Sequence, residues 1–231
     1  MRYSRRVLMV RPAVLSRELV LSAAVTVVDR DGLEALSMRK LGEELGVEAM
    51  SLYRYVESKA ALLDGVVEAI LSEMVVREPE GALWAERVKL RARALRAALR
   101  AHPNALSLFA TRPAVTPSSI EHVESALTLL ESAGFSAVDA IRAFQSTLAF
   151  TVGHTVSVYS IVAPAERSAP AYAGLDAKKF PRMIAAAKLL ARWDADAEFE
   201  FGLEALVRGL EARLSEQRAS KRGKRGGRAA S

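Results

Sequence analysis

Residues 37–56 read SMRKLGEELGVEAMSLYRYV, and this stretch decides the fold. Its apolar residues recur at helical spacing over 37–45 and 48–56, which predicts two short helices that share a small core. Gly46 can adopt the positive φ of the turn between them, and Gly42 leaves space where the helices approach each other most closely. The predicted core consists of Leu41, Leu45, Val47, Leu52 and Val56. The pattern indicates a helix-turn-helix.

The residues of the second helix that this core does not bury form a face that can enter a DNA major groove. Arg54 can donate two hydrogen bonds to guanine, Ser51 can contact a base edge, and Met50 can contact a thymine methyl group. The whole predicted face comprises Ala49, Met50, Ser51, Arg54 and Tyr55. The side chains predicted to bind DNA phosphates, and so to fix the register on the duplex, are Arg39, Tyr53 and Lys59.

The alternative is a three-helix packing unit whose polar face is only solvated. Residues 1–76 contain 10 basic and 11 acidic side chains, which by itself does not favour binding to a polyanion. The residues of this stretch leave both interpretations open.

Helical patterns continue along the rest of the chain, and no stretch shows the sustained period of two that marks a strand. A first helix is predicted between an N-cap at Ser16 and a stop at Gly32. Further helices are predicted over residues 58–74, 83–101, 118–132, 137–162, 181–190 and 199–214, with a loop over 164–180. The predicted fold class is therefore all-α.

Charge is distributed unevenly over the 231 residues. Residues 1–17 carry five Arg and residues 218–231 carry six Lys or Arg, without any acid, which leaves 22 basic and 27 acidic residues between them. We expect a basic arm (1–15), a helix-turn-helix domain (16–76), a regulatory domain (77–217) and a basic disordered tail (218–231). The arm can follow DNA phosphates or enter a minor groove, and the alternative for both ends is a solvated segment.

The composition also excludes several classes of protein. Cysteine is absent, which excludes a disulfide scaffold, a cysteine nucleophile and a thiolate metal site, and fits a cytoplasmic protein. Residues 143–165 have no formal charge and could span a bilayer, but eight polar side chains among them favour a buried helix of a soluble core. The N-terminal residues are broken by Pro12 and lack the apolar stretch of a secretory signal.

Residues 37–64 resemble the DNA-binding domain of the tetracycline repressor (TetR) family through RKL (39–41), LGV (45–47), LY (52–53) and KxxLLD (59–64). The second half resembles the regulatory domain of the tetracycline repressors through TRP (111–113), GFS (134–136), FGLE (201–204) and GLE (209–211). The resemblance covers about residues 16–214. It implies an all-α homodimer with a DNA-binding head, a ligand pocket and a four-helix dimerisation bundle, with the recognition helix at 48–56.

The same resemblance bears on the ligand. Tetracycline repressors hold a magnesium–drug chelate through a histidine and a glutamate, and Leu108 and Ser157 stand at those positions here. These departures argue against a tetracycline chelate, and the three histidines do not have the tight spacing of a metal site, so no metal or cofactor is expected.

A pocket for a small molecule is nevertheless predicted in the second domain. His154 lies in the uncharged helix beside apolar residues, where it can line such a pocket or serve as an ordinary core histidine. Arg91 falls where the repressors place a polar drug contact, which suits a ligand with an acceptor or a negative charge, and the alternative is a solvated arginine-rich face. The predicted ligand-binding residues are Arg91, Leu95, Leu108, Arg112, Phe150, His154 and Ser157.

These features predict a cytoplasmic, homodimeric regulator of transcription, of the repressor type. Its partners would be double-stranded DNA with a pseudo-palindromic operator and a small-molecule effector whose identity stays open, as does whether the effector releases or recruits the protein. The alternatives are a small helical enzyme and an interaction protein that uses the pocket without DNA. An enzyme is disfavoured because no acid lies near His154 and Ser157, Asp139 being four turns away.

Overall fold

The structure is a computed structural model that describes residues 15–160, 174–190 and 193–228. Within these ranges every regular element is helical, which confirms the predicted all-α fold. The predicted basic arm lies outside the described residues except for Leu15, as do residues 164–173 of the predicted loop. The helices are α1 (Arg17–Asp31), α2 (Met38–Leu45), α3 (Ala49–Leu52), α4 (Lys59–Ser72), α5 (Trp84–Ala101), α6 (Leu106–Thr111), α7 (Pro117–Ser132), α8 (Ala137–Tyr159), α9 (Pro181–Leu190) and α10 (Ala195–Arg228).

Helices α1 to α4 form one unit, which we call the head. Three serines begin its helices, since the hydroxyls of Ser16, Ser37 and Ser58 each accept a hydrogen bond from the backbone N–H three residues later, at 3.1–3.2 Å. The head core includes the fully buried side chains of Val20, Val27, Leu36, Leu41, Leu52, Leu62 and Ile70. Of the core predicted for the helix-turn-helix, Leu41, Leu52 and Val56 are buried, while Leu45 and Val47 pack against it.

The two predicted glycine roles in the helix-turn-helix are confirmed. Gly46 ends α2 in the left-handed conformation, with φ 66° and ψ 31°. Gly42 lies where α2 meets the start of α3, and a Cβ at this position would lie 2.7 Å from the carbonyl oxygen of Val47 and 3.2 Å from the amide nitrogen of Ala49. Because both neighbours are backbone atoms, they cannot move aside as a side chain can.

The second domain is built from α5 to α8 and α10. Its main core includes Ala92, Leu129, Phe199 and Leu203 from helices α5, α7 and α10, and Phe135 from the connection between α7 and α8. Residues 73–83 connect α4 to α5 and contain the predicted domain boundary. The two domains share apolar contacts, since the head core also includes Ala98, Ala105 and Leu108 of the second domain.

Three elements differ from the sequence-based expectation. Helix α3 ends at Leu52 and continues as turns to Tyr55, although a helix to Val56 was expected. Helix α6 was not predicted, because six residues between Pro103 and Pro113 are too few to show a helical period. Helix α10 begins at Ala195, where the carboxylate of Asp194 accepts hydrogen bonds from the backbone N–H groups of residues 196 and 197.

Helix α10 also differs at its other end, since it continues through Arg228 where a disordered tail was predicted over 218–231. Each added residue of a helix already nucleated forms one more hydrogen bond, whereas a separate segment of this composition would have to nucleate its own helix. The prediction treated residues 218–231 as independent of the helix before them. Among the described helices, none is both long and apolar enough to cross a membrane.

We expect Gly42→Ala to lower the free energy of unfolding by about 1–3 kcal/mol, because its Cβ would force α2 and α3 apart. Urea denaturation at a fixed protein concentration measures the effect. Glu43→Ala is the matched control, since it removes only an exposed ion pair with Arg39 and should change the stability by less than ~0.5 kcal/mol. Equal stability of the two variants would show that the close approach at Gly42 does not constrain the fold.

Candidate DNA-binding surface and ligand cavity

The short helix α3 and the turn after it present side chains to solvent. Leu52 points into the head core and is fully buried, which leaves the opposite side of the segment free. The side chain of Met50 is 74% exposed, Tyr53 is 43% exposed, and Arg54 is exposed. Ser51 is half-buried beside them. Three residues of the predicted DNA-binding face, Met50, Ser51 and Arg54, and the predicted phosphate contact Tyr53 thus lie on the surface of the head.

Two other predicted members of this face are placed differently. Ala49 and Tyr55 are half-buried and pack against the head core, although the sequence-based prediction left them with nothing to pack against. The reason is the early end of α3: the chain turns after Leu52 and carries Tyr55 back toward the core. The backbone of Ala49 lies next to Gly42, where α2 and α3 approach each other most closely. Both can still offer an edge to DNA, but much of each side chain supports the fold.

Ion pairs within the head neutralise many of its acids. Arg30 donates hydrogen bonds to the carboxylates of Asp31 and Glu44, at 3.0 Å and 2.7 Å, and so joins α1 to α2. These hydrogen bonds hold the pKa values of Asp31 and Glu44 below their usual range. The exposed Arg39 pairs with Glu43 at 3.0 Å. Among the ion pairs of the described residues, Arg54 and Lys59 take part in none, so both charges are available to a phosphate or a base.

Lys59 is the first residue of α4, and this position favours the binding of an anion. The four N-terminal N–H groups of a helix have no acceptor within it, and the helix dipole adds positive potential there. Ser58 accepts one of these N–H groups, from Ala61, at 3.1 Å. The remaining donors and the Lys59 ammonium together suit a DNA phosphate.

A cavity of about 710 Å³ lies between α4, α5, α7 and α8, within the size range of small-molecule sites. Its wall is mainly apolar and includes Val67, Leu71, Met74, Val88, Leu95, Phe109, Val123, Leu129, Leu130, Phe144 and Leu148. The polar lining residues are Glu78, Arg91, Arg112, Ser119, His122, Ser125, Thr147 and Thr151. Such a wall suits a ligand with a large apolar body and a few polar groups.

The two arginines of the wall are paired differently. The Nε of Arg91 donates to Glu78 at 2.8 Å, and one of its Nη groups donates to the hydroxyl of Ser125 at 3.1 Å. Arg112 instead donates from Nη1 to the carboxylate of Asp64 and to the carbonyl oxygen of Ala60, both on α4. Of the predicted ligand-binding residues, Arg91, Leu95 and Arg112 therefore line one cavity.

Comparison with known proteins agrees with this architecture. The model of the family described as "Bacterial regulatory proteins, tetR family" matches residues 20–66, and the model of the "Tetracyclin repressor-like, C-terminal domain" matches residues 78–214. The chain belongs to the TetR family. It is a ligand-responsive, DNA-binding regulator of transcription and not an enzyme.

Individual TetR-family proteins match over nearly their whole length. The class C tetracycline repressor of Escherichia coli is 34% identical over 203 residues, which are 85% of this chain and 91% of the repressor. The apo structure of ActR from Streptomyces coelicolor superposes with a TM-score of 0.77 at 32% identity, covering 89% of this chain and 99% of ActR. ActR in complex with actinorhodin superposes with a TM-score of 0.74 at 30% identity, over 87% and 99% of the two chains.

Four residues predicted for the ligand site lie outside this cavity, which corrects the sequence-based assignment. Leu108 is buried in the head core. Phe150 and His154 face α10 instead, with both rings 5.3 Å from the ring of Phe199, and Ser157 is exposed. The cavity side of α8 carries Phe144, Thr147, Leu148 and Thr151. His154 packs against aromatic rings away from the cavity, with Nε2 3.4 Å from the carboxylate of Glu198, and neither of its ring nitrogens has a hydrogen-bond partner among the described residues.

Sequence reasoning missed two buried groups that join distant helices. Arg96 of α5 is buried, with its guanidinium 4.5 Å from the centre of the Phe199 ring and 2.7 Å from the carboxylate of Asp196. His102 follows α5 and is also buried. Neither had a detectable signal, because their partners lie far away in the sequence.

His102 joins the second domain to two places in the head. Its Nδ1 is 2.8 Å from the carboxylate of Asp29 on α1, and its Nε2 is 2.9 Å from that of Glu73, which ends α4. Burial lowers the pKa of His102, but the hydrogen bonds to Glu73 and Asp29 outweigh it and raise the pKa above 6.5. The protonated imidazole donates to both carboxylates and fastens the head to α5.

We therefore expect the free energy of unfolding to fall as the pH rises from 6 to 8. The folded state binds the His102 proton more tightly than the unfolded state, so this contribution is complete below the unfolded pKa and is lost as the pH passes the raised pKa of the folded state. Denaturation at pH 6 and pH 8 measures it. His102→Asn should show a smaller loss of stability over this interval than the native chain, and the exposed His122→Asn should behave like the native chain. Equal losses for the native chain and His102→Asn would contradict the role of His102.

Proposed function

We propose that this chain is a homodimeric repressor that binds a pseudo-palindromic operator in the cytoplasm and leaves it when a small molecule fills the cavity. One observation carries the proposal. Helix α4 begins with the phosphate-binding candidate Lys59 and contributes Val67 and Leu71 to the cavity wall. A ligand that changes the position of α4 also changes the position of the DNA-binding surface.

The DNA contacts in this proposal follow the exposed side of the head. Met50, Ser51 and Arg54 contact base edges in the major groove, with Ala49 and Tyr55 at the margin of this face. The phosphate contacts are Arg39, Tyr53 and Lys59, and they set the register without reading sequence. Support comes from the exposure of Met50, Tyr53 and Arg54 and from the match of residues 20–66 to the family.

The proposed dimer uses the exposed sides of α8 and α10, as the resemblance to tetracycline repressors implies. Small and apolar residues lie there at intervals of three, four or eight residues, which places them along one side of each helix. On α8 they are Val138, Ile141, Ala149 and Gly153, and on α10 they are Phe201, Ala205 and Gly209. Two copies of these helices can pack as a four-helix bundle, and Phe201 supplies the largest apolar surface, since it is 77% exposed.

The proposed effector has a large apolar body and fills a cavity of about 710 Å³ beside Arg91 and Arg112. The structure of ActR in complex with actinorhodin supports a small-molecule ligand for a fold of this type. The effector acts by a shift of populations, because it must bind better to the conformation whose recognition segments are wrongly spaced for successive major grooves. A ~100-fold difference in affinity between the two conformations supplies about 2.7 kcal/mol per site.

Selection of bound fragments from a random double-stranded DNA pool tests the proposed function. The salt concentration should be ~150 mM, so that phosphate contacts alone contribute little affinity. Recovery of a palindrome with half-sites about one helical turn apart is the expected result. Recovery of no common sequence by a folded, dimeric protein without ligand would overturn the proposal of a repressor that is released by its effector.

We expect Arg54→Ala and Lys59→Ala to weaken binding to the selected operator in different ways. Arg54→Ala should cost about 1–3 kcal/mol and relax specificity at one position of each half-site, because a base contact is lost. Lys59→Ala should weaken all sequences alike and reduce the slope of log affinity against log salt by about 1. Titrations at several salt concentrations measure both, and Arg182→Ala on α9 is the control that should leave affinity unchanged. The same specificity profile for both variants would refute the assignment of base and phosphate contacts.

We also expect Phe201→Glu to convert the dimer into a monomer at micromolar concentration, because it places a charge within the proposed bundle. Light scattering after size-exclusion chromatography measures the mass. Leu83→Glu is a matched control, since Leu83 is 76% exposed but precedes α5 and lies outside the proposed bundle. A dimer that persists in Phe201→Glu, or one lost in Leu83→Glu, would show that another surface forms the interface.

A further inference from the structure

Arg112 is shared between the cavity and the head. It follows α6, lines the cavity, and donates from Nη1 to the carboxylate of Asp64 and, at 3.2 Å, to the carbonyl oxygen of Ala60. Both acceptors belong to α4, and neither lines the cavity. The guanidinium of Arg112 therefore lines the cavity, whereas the carboxylate that balances its charge belongs to the head and does not line the cavity.

Several other polar groups of the wall already have hydrogen-bond partners. Glu78 lines the cavity and accepts from both Arg91 and Arg87, so Arg91 has a counter-charge in the wall itself, which it shares with Arg87. The hydroxyls of Thr147 and Thr151 donate to backbone carbonyl oxygens one turn earlier on α8, at 2.8 Å. Arg112 has five N–H donors, and in the described part of the chain its hydrogen bonds use only those of Nη1. Its Nε and Nη2 can take a further acceptor.

We propose that Arg112 binds an anionic group of the effector and that Asp64 competes with this group for the same guanidinium. The inference rests on the proposed ligand cavity and adds a chemical class to it: a ring system or other apolar body that carries a carboxylate, sulfonate or ionised phenol. Arginine suits such a group because its planar fork donates two parallel hydrogen bonds to an anion.

The competition gives the ligand a direct effect on the head. An anion on Nε and Nη2 lies close to the Asp64 carboxylate, and two anions around one guanidinium repel each other. The link between Arg112 and α4 is thereby weakened. A second link remains, because His102 holds Asp29 and Glu73, and Asn104 donates to the carbonyl oxygen of Asp29 at 3.0 Å, away from the cavity. The start of α4 is released while its end stays attached.

Two fluorescent probes with the same aromatic body test the inference. 1-Anilinonaphthalene-8-sulfonate carries a sulfonate, and N-phenyl-1-naphthylamine lacks it. Their dissociation constants are measured on the full-length protein without DNA, for the native chain and for Arg112→Gln, Arg112→Lys and Asp64→Asn. Arg93→Gln is the matched control, since Arg93 pairs with Glu200 at 2.8 Å and does not line the cavity. Thermal unfolding of each variant establishes that it is folded.

The native chain should bind the sulfonate probe more tightly than the neutral probe. Arg112→Gln should weaken the sulfonate probe on the order of tenfold and leave the neutral probe unchanged, while Arg112→Lys should retain part of the preference, because it keeps the charge without the fork. Asp64→Asn should tighten the sulfonate probe several-fold, since the competitor is removed. Arg93→Gln should change neither dissociation constant.

The inference is overturned if the native chain does not prefer the sulfonate probe, or if Arg112→Gln affects both probes equally. It is also overturned if Asp64→Asn weakens or does not change the binding of the sulfonate probe, since Asp64 would then position Arg112 without competing for it. These measurements contain no DNA, whereas the operator selection contains no ligand. Failure of one is therefore distinguishable from failure of the other.

Discussion

Val67 is one of the residues at which the two halves of this molecule meet. It is a buried member of the head core, and it also lines the ligand cavity. Its helix, α4, buries Leu62, Val66 and Ile70 in the head core and packs there mainly against α1, so a movement of α4 is transmitted to the rest of the head. Because the interface is closely packed, it changes between discrete arrangements instead of deforming gradually. The position of the DNA-binding surface and the shape of the cavity are thus two properties of one helix.

The cations of the head fall into two groups: some form ion pairs that hold its helices together, and others take part in no described ion pair. Arg30 is engaged by Asp31 and Glu44, and Lys40 pairs with Asp31 at 3.3 Å, so these cations hold α1 against α2. Arg54 and Lys59 stand apart from the described ion pairs, at the recognition segment and at the start of α4. The head has nearly equal numbers of acids and bases, and two of its cations remain available to an anion.

The sequence was most informative where the physical signal is local. Gly42, Gly46 and the N-cap Ser16 act within a few residues of themselves, and the structure contains each of them as predicted. The end of α3 was missed, because the turn after Leu52 depends on how Tyr55 packs against the head core and not on a breaker residue. Local signals thus predict where helices begin more reliably than where a short one ends.

The ligand side was predicted only in part, for reasons that lie in α8 and in long-range pairs. After Arg142, α8 carries no formal charge, so its periodicity does not distinguish the side that faces the cavity from the side that faces α10. His154 was accordingly assigned to the wrong side. The partners of Arg96 and His102 lie about 100 and 73 residues away in the sequence, a separation over which no spacing rule applies.

The brevity of α3 limits how much DNA sequence the head can read. In the proposed complex, a single helical turn with Met50, Ser51 and Arg54 facing outward addresses about three base pairs per subunit, or about six in the proposed symmetric dimer. Six fully specified base pairs distinguish roughly 4,000 sequences, whereas a genome presents ~10⁶ or more competing sites. Side-chain contacts to bases therefore carry too little information to specify one operator in a genome. The spacing between the half-sites and the sequence-dependent stiffness of the DNA between them must supply the remainder.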